Sequence, residues 1–193
     1  MIERADGPPL ERADLIQVLA AGDLEKIRRT LTRVKAQRDK SALLPLVEDL
    51  WAGRRAADAA LPWPMIDRPK VRVELGHILA LAAAEGAWRG DLRAINAYVL
   101  DQADAEDPAT AMTAILTLGV IDDPQSVAPL AEFARGGWDG PFLAAVIGLS
   151  MMCQAEARAA LDQISADLTD PTQKDFLQRV RAGYSGYTRA RCP

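Results

Sequence analysis

A chain of 193 residues has room for one buried core, and 49% apolar with 26% charged residues is ordinary globular composition, which excludes a wholly disordered polymer. A net charge of −4 excludes the basic excess that a chain-wide nucleic-acid or anionic-membrane footprint needs. The opening M-I-E-R-A-D-G-P-P-L has no basic stretch followed by an apolar one, so no secretory signal is expected and a cytoplasmic location follows.

Ala, Leu, Arg, Glu and Gln dominate, and alternating β-branched runs are absent, so propensity and period agree on an all-α fold. Helices are predicted over 11–20, 24–36, 42–56, 70–84 and 92–103, then over 109–120, 126–134, 142–152, 155–168 and 172–182. The second is basic: Lys26, Arg28, Arg29, Arg33 and Lys35, then Arg38 and Lys40, stand against Glu25 and Asp39. Its plain reading is a solvated face; the rival is a phosphate contact, because Lys26, Arg29 and Arg33 recur on one side. The third holds Trp51, assigned to the core. The segment L-P-W-P-M-I-D-R-P at 61–69 carries three prolines, cannot continue a helix, and reads as a loop or hinge with an exposed apolar patch at 61–66.

The fourth helix carries His77, the single histidine, among apolar neighbours that favour a packed or half-exposed role. One histidine would suffice for Ser/His/Asp chemistry, but these neighbours favour a packed residue over a catalytic one, and two distant cysteines with one histidine do not make a zinc site. The expectation is therefore no catalysis, no metal and no cofactor. The most apolar runs, 78–84 and 143–153, fall short of the roughly 20 residues of a membrane span and read as core helices. Cys153 lies in an apolar run and Cys192 beside the C-terminus; they form no framework of staples and suit a reducing compartment.

Along the chain, Pro69, Pro108, Pro124, Pro141 and Pro171 each suit a helical first turn, and Asp107, Asp123 and Asp170 precede three of them as N-caps. Pro129 would bend a helix begun at Pro124, whereas a start at Ser126 avoids the conflict. The acidic stretch 101–107 lacks the glycine and final Glu of a calcium loop, and G-G-W-D-G at 136–140 is a turn without the strand of a phosphate cradle. Eight acids (Asp101, Asp104, Glu106, Asp107, Asp122, Asp123, Glu132, Asp139) face one base, Arg135, and the tail 184–193 is basic again. Trp63, Trp88 and Trp138 fall between predicted helices. Each either folds back over a helix junction or serves as a binding anchor.

A period of 31 relates 114–133 to 145–164: Ala114 meets Ala145, Ile115 Val146, Leu116 Ile147, Leu118 Leu149, Ala128 Ala159, Leu130 Leu161 and Phe133 Ile164. The stretch A-I-L-T-L-G-V-I-D-D-P-Q-S-V-A-P-L-A-E-F at 114–133 resembles short, phycobilisome-lyase-like HEAT repeats through Leu118, Gly119, Asp123, Pro124, Val127, Pro129 and Leu130. L-L-P-L-V-E-D-L at 43–50 is similar to 127–134. The resemblance implies one domain, an α-solenoid of helical hairpins near 24–53, 70–103, 109–135 and 142–168 with a terminal helix at 172–182. The copy at 142–168 departs from the pattern, with Cys153, Gln154 and Ala155 in place of Asp-Asp-Pro.

What the resemblance implies for function is a non-catalytic protein-binding scaffold or adaptor of bacterial type. Its partner would be a protein, with a basic segment held on the acidic third and fourth units; oligomeric state is open, and no membrane is involved. Candidate partner-binding residues are Trp63, Trp88, Trp138, Glu132, Asp162 and Arg158, with Glu48, Arg93 and Asn96 as further lining. An immunity- or antitoxin-like inhibitor of a basic toxin is the alternative, and a nucleic-acid-binding HEAT-like protein the third.

Overall fold

The computed structural model describes residues 9–37, 39–54, 61, 63–136 and 140–192, the side chains of 184–191 excepted. Helices α1 (Arg12–Ala21), α2 (Leu24–Ala36), α3 (Leu44–Trp51), α4 (Trp63–Ile66) and α5 (Pro69–Ala84) lead into α6 (Leu92–Asp101), α7 (Pro108–Ile121), α8 (Val127–Phe133), α9 (Gly140–Met151), α10 (Ala155–Asp167) and α11 (Pro171–Arg191). No strand occurs among the described residues, so the protein is all-α.

Local chemistry sets most helix ends. Gly22 closes α1 in the left-handed region at φ 68°, and the next residue, Asp23, opens α2 by accepting from the amides of Glu25 and Lys26. Asp107 accepts from the Thr110 amide at 2.9 Å, Asp123 from Gln125 at 2.9 Å and Asp170 from Thr172 at 2.6 Å, each beside a proline at the first helical position. A 3-10 turn at Pro124–Ser126 precedes α8, so Pro129 sits in the first turn of α8, where its missing N–H leaves no bond unmade.

Three expectations need correction. The segment 61–69 is not all loop, because α4 forms one turn with Pro64 at its second position, where no amide is required. Helix α3 stops at Trp51, short of 56, with Gly53 at φ 67° leading the chain away. Helix α11 continues to Arg191, so 184–191 is helix and not a basic tail.

The chain divides into two compact units, Met1–Asp91 and Leu92–Pro193. The division falls inside the repeat expected at 70–103: α5 belongs to the first unit and α6 to the second. In the first, α5 is the hub, with α2, α3 and α4 packed on it and α1 on α2. Ile27, Leu31 and Val34 recur every three or four residues on α2 and are fully buried, each contributing about 1.5–3 kcal/mol.

In the second unit, α9 is the hub, touching α7, α8, α10 and α11, while α6 packs on α7 and α8 on α10. The period of 31 reappears as a burial pattern. Ala114 and Ala145, Ile115 and Val146, Leu118 and Leu149, and Leu130 and Leu161 are all buried, whereas Ala128 and Ala159 are both exposed. Close approach of α7 to α9 requires glycine: a Cβ on Gly119 would lie 2.4 Å from the Gly148 Cα.

Candidate functional site

The basic stretch 26–40, α2 and the turn after it, is engaged from within at Lys35 and Lys40, while Lys26, Arg29 and Arg33 are exposed. Lys35 pairs with Glu74 on α5 at 2.6 Å, with side chains 21% and 8% exposed, so this pair belongs to the core of the first unit. Lys40, 3% exposed, reaches Glu85 at 2.8 Å and also donates to the Gln37 carbonyl. Burying such cations is tolerable only because each has a carboxylate within hydrogen-bond range. Arg29 holds Glu25 at 3.0 Å and Lys26 lies 3.7 Å from Asp23, both exposed pairs.

His77 stands half-buried on α5, one turn after Glu74. Burial, and then the Lys35 ammonium, lower its pKa from 6.5 to about 3. It is thus a neutral imidazole of low basicity at physiological pH. Among the described residues no three His, Cys, Asp or Glu side chains gather as metal ligands, and no helix is long and apolar enough to cross a membrane.

Trp63 and Trp88 turn inward, 6% and 9% exposed, which fits the fold-back alternative and not the surface-anchor one. Trp88 Nε1 donates to Glu48 Oε2 at 2.9 Å, and its ring lies so close to Gly90 that a Cβ there would fall 1.9 Å from it. Glu48 also accepts from Arg54 at 3.1 Å, so it orders the first unit and is not an open lining residue. Trp51, buried as expected, has the Arg72 guanidinium 5.2 Å from its ring centre. Trp138 lies outside the described residues.

Asn96, expected on a binding face, is 8% exposed and spans two elements: Nδ2 donates to Asp123 Oδ2 at 3.2 Å, and Oδ1 accepts from Ser126 Oγ at 3.1 Å. It fixes α6 against the turn before α8. Asp162 pairs with Arg181 at 2.7 Å, linking α10 to α11, and Arg158 donates to the Cys153 carbonyl at 3.2 Å. Both are exposed but structurally engaged. Several acids of the run 101–139 are likewise engaged: Asp107 and Asp123 cap helices, and Asp122, at φ 62°, accepts from the Cys153 amide at 2.8 Å.

The two cysteines correct a further expectation. Cys153, between α9 and α10, is disulfide-bonded to Cys192, just past α11, with Cα atoms 5.3 Å apart. Their separation of 39 residues hid the pairing from any spacing rule.

Of the expected binding residues, Glu132 lines a groove. A groove of about 880 Å³ in the second unit is walled by Leu100 and Ala103 at the end of α6, Pro108 and Ala111 of α7, and Pro129, Glu132 and Phe133 of α8, with Pro141 of α9 also on its wall. Leu100, 39% exposed, is the one large hydrophobic residue on the described surface. Asp104 and Glu132 also line the groove, both exposed, and neither has an ion-pair partner among the described residues. Such a lining can take up apolar side chains while its two carboxylates select a cation. Leu100 was not singled out in the sequence, and Asp104, Pro129 and Phe133 were read only as parts of an acidic run and a repeat, because they meet from segments about thirty residues apart.

No protein-family model, curated protein or solved structure matches the chain. The fold and groove therefore define its class by themselves: an all-α protein whose second unit presents an apolar groove with acidic side chains.

Proposed function

We propose that the chain is a non-catalytic protein-binding scaffold of stacked, HEAT-like helical hairpins. Its groove receives an extended segment of a partner protein that carries both basic and apolar side chains. One observation carries the reading: Leu100, Pro129 and Phe133 offer apolar surface beside two carboxylates, Asp104 and Glu132, that have no cation partner among the described residues. Apolar burial would supply affinity, and the carboxylates orientation and approach rate. The burial-matched period of 31 supports the hairpin stack, since each hairpin hides its apolar stripe on the next.

The rivals lose ground on specific residues. A nucleic-acid contact through the Lys26, Arg29 and Arg33 face of α2 would compete with the carboxylates already beside it, since Arg29 pairs with Glu25 and Lys26 lies 3.7 Å from Asp23. Acid–base work by His77 would need an imidazole that gains a proton near neutral pH, against a pKa near 3. An inhibitor of a basic toxin would use the same groove, and is one form of the reading.

The test is fluorescence anisotropy with a short synthetic peptide in which Arg alternates with Leu and Pro, read on the full chain. Wild type is expected to bind, and Glu132→Lys combined with Asp104→Lys to lose at least about tenfold in affinity. Equal binding of a peptide with Glu at every Arg position, or no effect of the double variant, would refute the acidic groove as the docking site.

A further inference from the structure

Proline occupies three positions on the groove wall, Pro108, Pro129 and Pro141, each in the first turn of its helix. The first turn is where helix amides lie open to a ligand, and a proline there has none to offer. Among the described residues there is also no strand whose edge an entering chain could extend. Recognition by side chains suits a segment whose own backbone stays solvated, which is the polyproline II helix. With three residues per turn and about 3.1 Å of rise per residue, it places residues i and i+3 on one face about 9 Å apart.

The period of 31 extends to the ends of the second helices. Val99, Leu130 and Leu161, on α6, α8 and α10, are all buried, and four residues on Ala103 and Ala134 are buried as well. The next residue of each copy is exposed: Asp104 after α6 and Arg135 after α8. Equivalent positions thus carry opposite charges. Asn96 ties α6 to the turn before α8 through Asp123 and Ser126, and neighbouring packed helices stand about 8–10 Å apart, so the acid and the base are separated by about that step. Arg135 belongs to the groove's rim: its amide donates to the Glu132 carbonyl at 3.0 Å, and the next residue, Gly136, lines the groove.

We propose that the occupant of the groove is a polyproline II segment carrying an arginine and a glutamate three residues apart, with proline or leucine between them. The arginine meets Asp104 and Glu132, the residues between lie against Leu100, Pro129 and Phe133, and the glutamate meets Arg135. This rests on the docking role given to the groove, and adds to it the conformation of the partner segment and the sign of its second charge. The two spacings agree, about 9 Å between the charges of the segment and about 8–10 Å between those of the protein. Arg135, the one base among the eight acids of 101–139, is then the specificity-determining residue.

Fluorescence anisotropy on the full chain tests this, with peptides that hold one arginine among prolines and leucines and a glutamate placed before or after it. Relative to alanine at the same position, glutamate three residues from the arginine, in the better of the two orders, is expected to tighten binding about threefold, the size of one exposed ion pair. Glutamate two or four residues away should give less. Wild type is expected to prefer glutamate over lysine at the three-residue spacing by at least about fivefold, and Arg135→Glu to prefer lysine. Binding of the alanine peptide with no gain from glutamate at any spacing, or a preference that Arg135→Glu does not reverse, would overturn this inference and leave the groove as a docking site. A best spacing of seven residues, two turns of an α-helix, would mean a helical occupant and overturn it too. No binding of any peptide would sink both readings.

Discussion

The contact between α7 and α9 gives a sharp prediction, because two glycines facing one another are not equivalent. A Cβ on Gly119 would lie 2.4, 2.6 and 2.7 Å from the Cα, O and C atoms of Gly148, all backbone, which cannot rotate away. A Cβ on Gly148 would lie 3.4 Å from the Ile115 carbonyl oxygen and 3.5 Å from a Leu130 methyl, close to ordinary contact. Both residues sit near the C-terminal ends of their helices, so alanine brings each a similar propensity gain of about 1 kcal/mol. Gly119→Ala must in addition push the helices apart by about 1 Å, an overpacking cost of about 1–3 kcal/mol. Gly148→Ala is therefore expected at or slightly above wild-type stability, and Gly119→Ala below Gly148→Ala by about 1–3 kcal/mol. In thermal unfolding followed by far-UV circular dichroism, the gap corresponds to about 2–12 °C. Gly119→Ala matching or exceeding Gly148→Ala would refute the close approach of α7 and α9.

Other expectations follow from buried polar groups. Asn96→Ala removes the acceptor of Ser126 Oγ, which is fully buried, and should cost about 1–3 kcal/mol in urea unfolding; the double change with Ser126→Ala should cost less than the sum of the singles. His77 has a folded pKa near 3 against 6.5 unfolded, so the unfolded chain binds the extra proton between those values. Its contribution is complete above pH 6.5 and is lost as pH falls toward 3; His77→Gln should flatten the stability–pH slope in that window, and an unchanged slope would contradict the assignment. Cys153→Ser opens a loop of 39 residues' separation and should lower unfolding stability by up to about 4 kcal/mol, with reduced wild type behaving alike.

The legible parts of the fold were those written locally. Asp107–Pro108, Asp123–Pro124 and Asp170–Pro171 start helices through side chains two or three residues away, so a linear reading finds them. The period of 31 was legible because burial acts on the same positions of each copy. What escaped reading depends on partners far along the chain. Trp88 lies in a loop and looked available, yet its indole N–H finds Glu48 forty residues earlier. The end of α11 was read as a basic tail after a helix ending at 182, whereas Cys192 beyond it is tied to Cys153 across the unit. Glu132 was singled out for its charge, but the groove around it is made by α6, α7, α8 and α9 together.

The central claim, that the groove of the second unit is the docking surface, is tested most directly by a residue-resolved NMR titration of the full chain with the Arg–Leu–Pro peptide. Amide shifts are expected to concentrate at Leu100, Asp104, Glu132 and Phe133, and to weaken as salt rises. Shifts centred on α2 or α5, with these four residues unmoved, would contradict it.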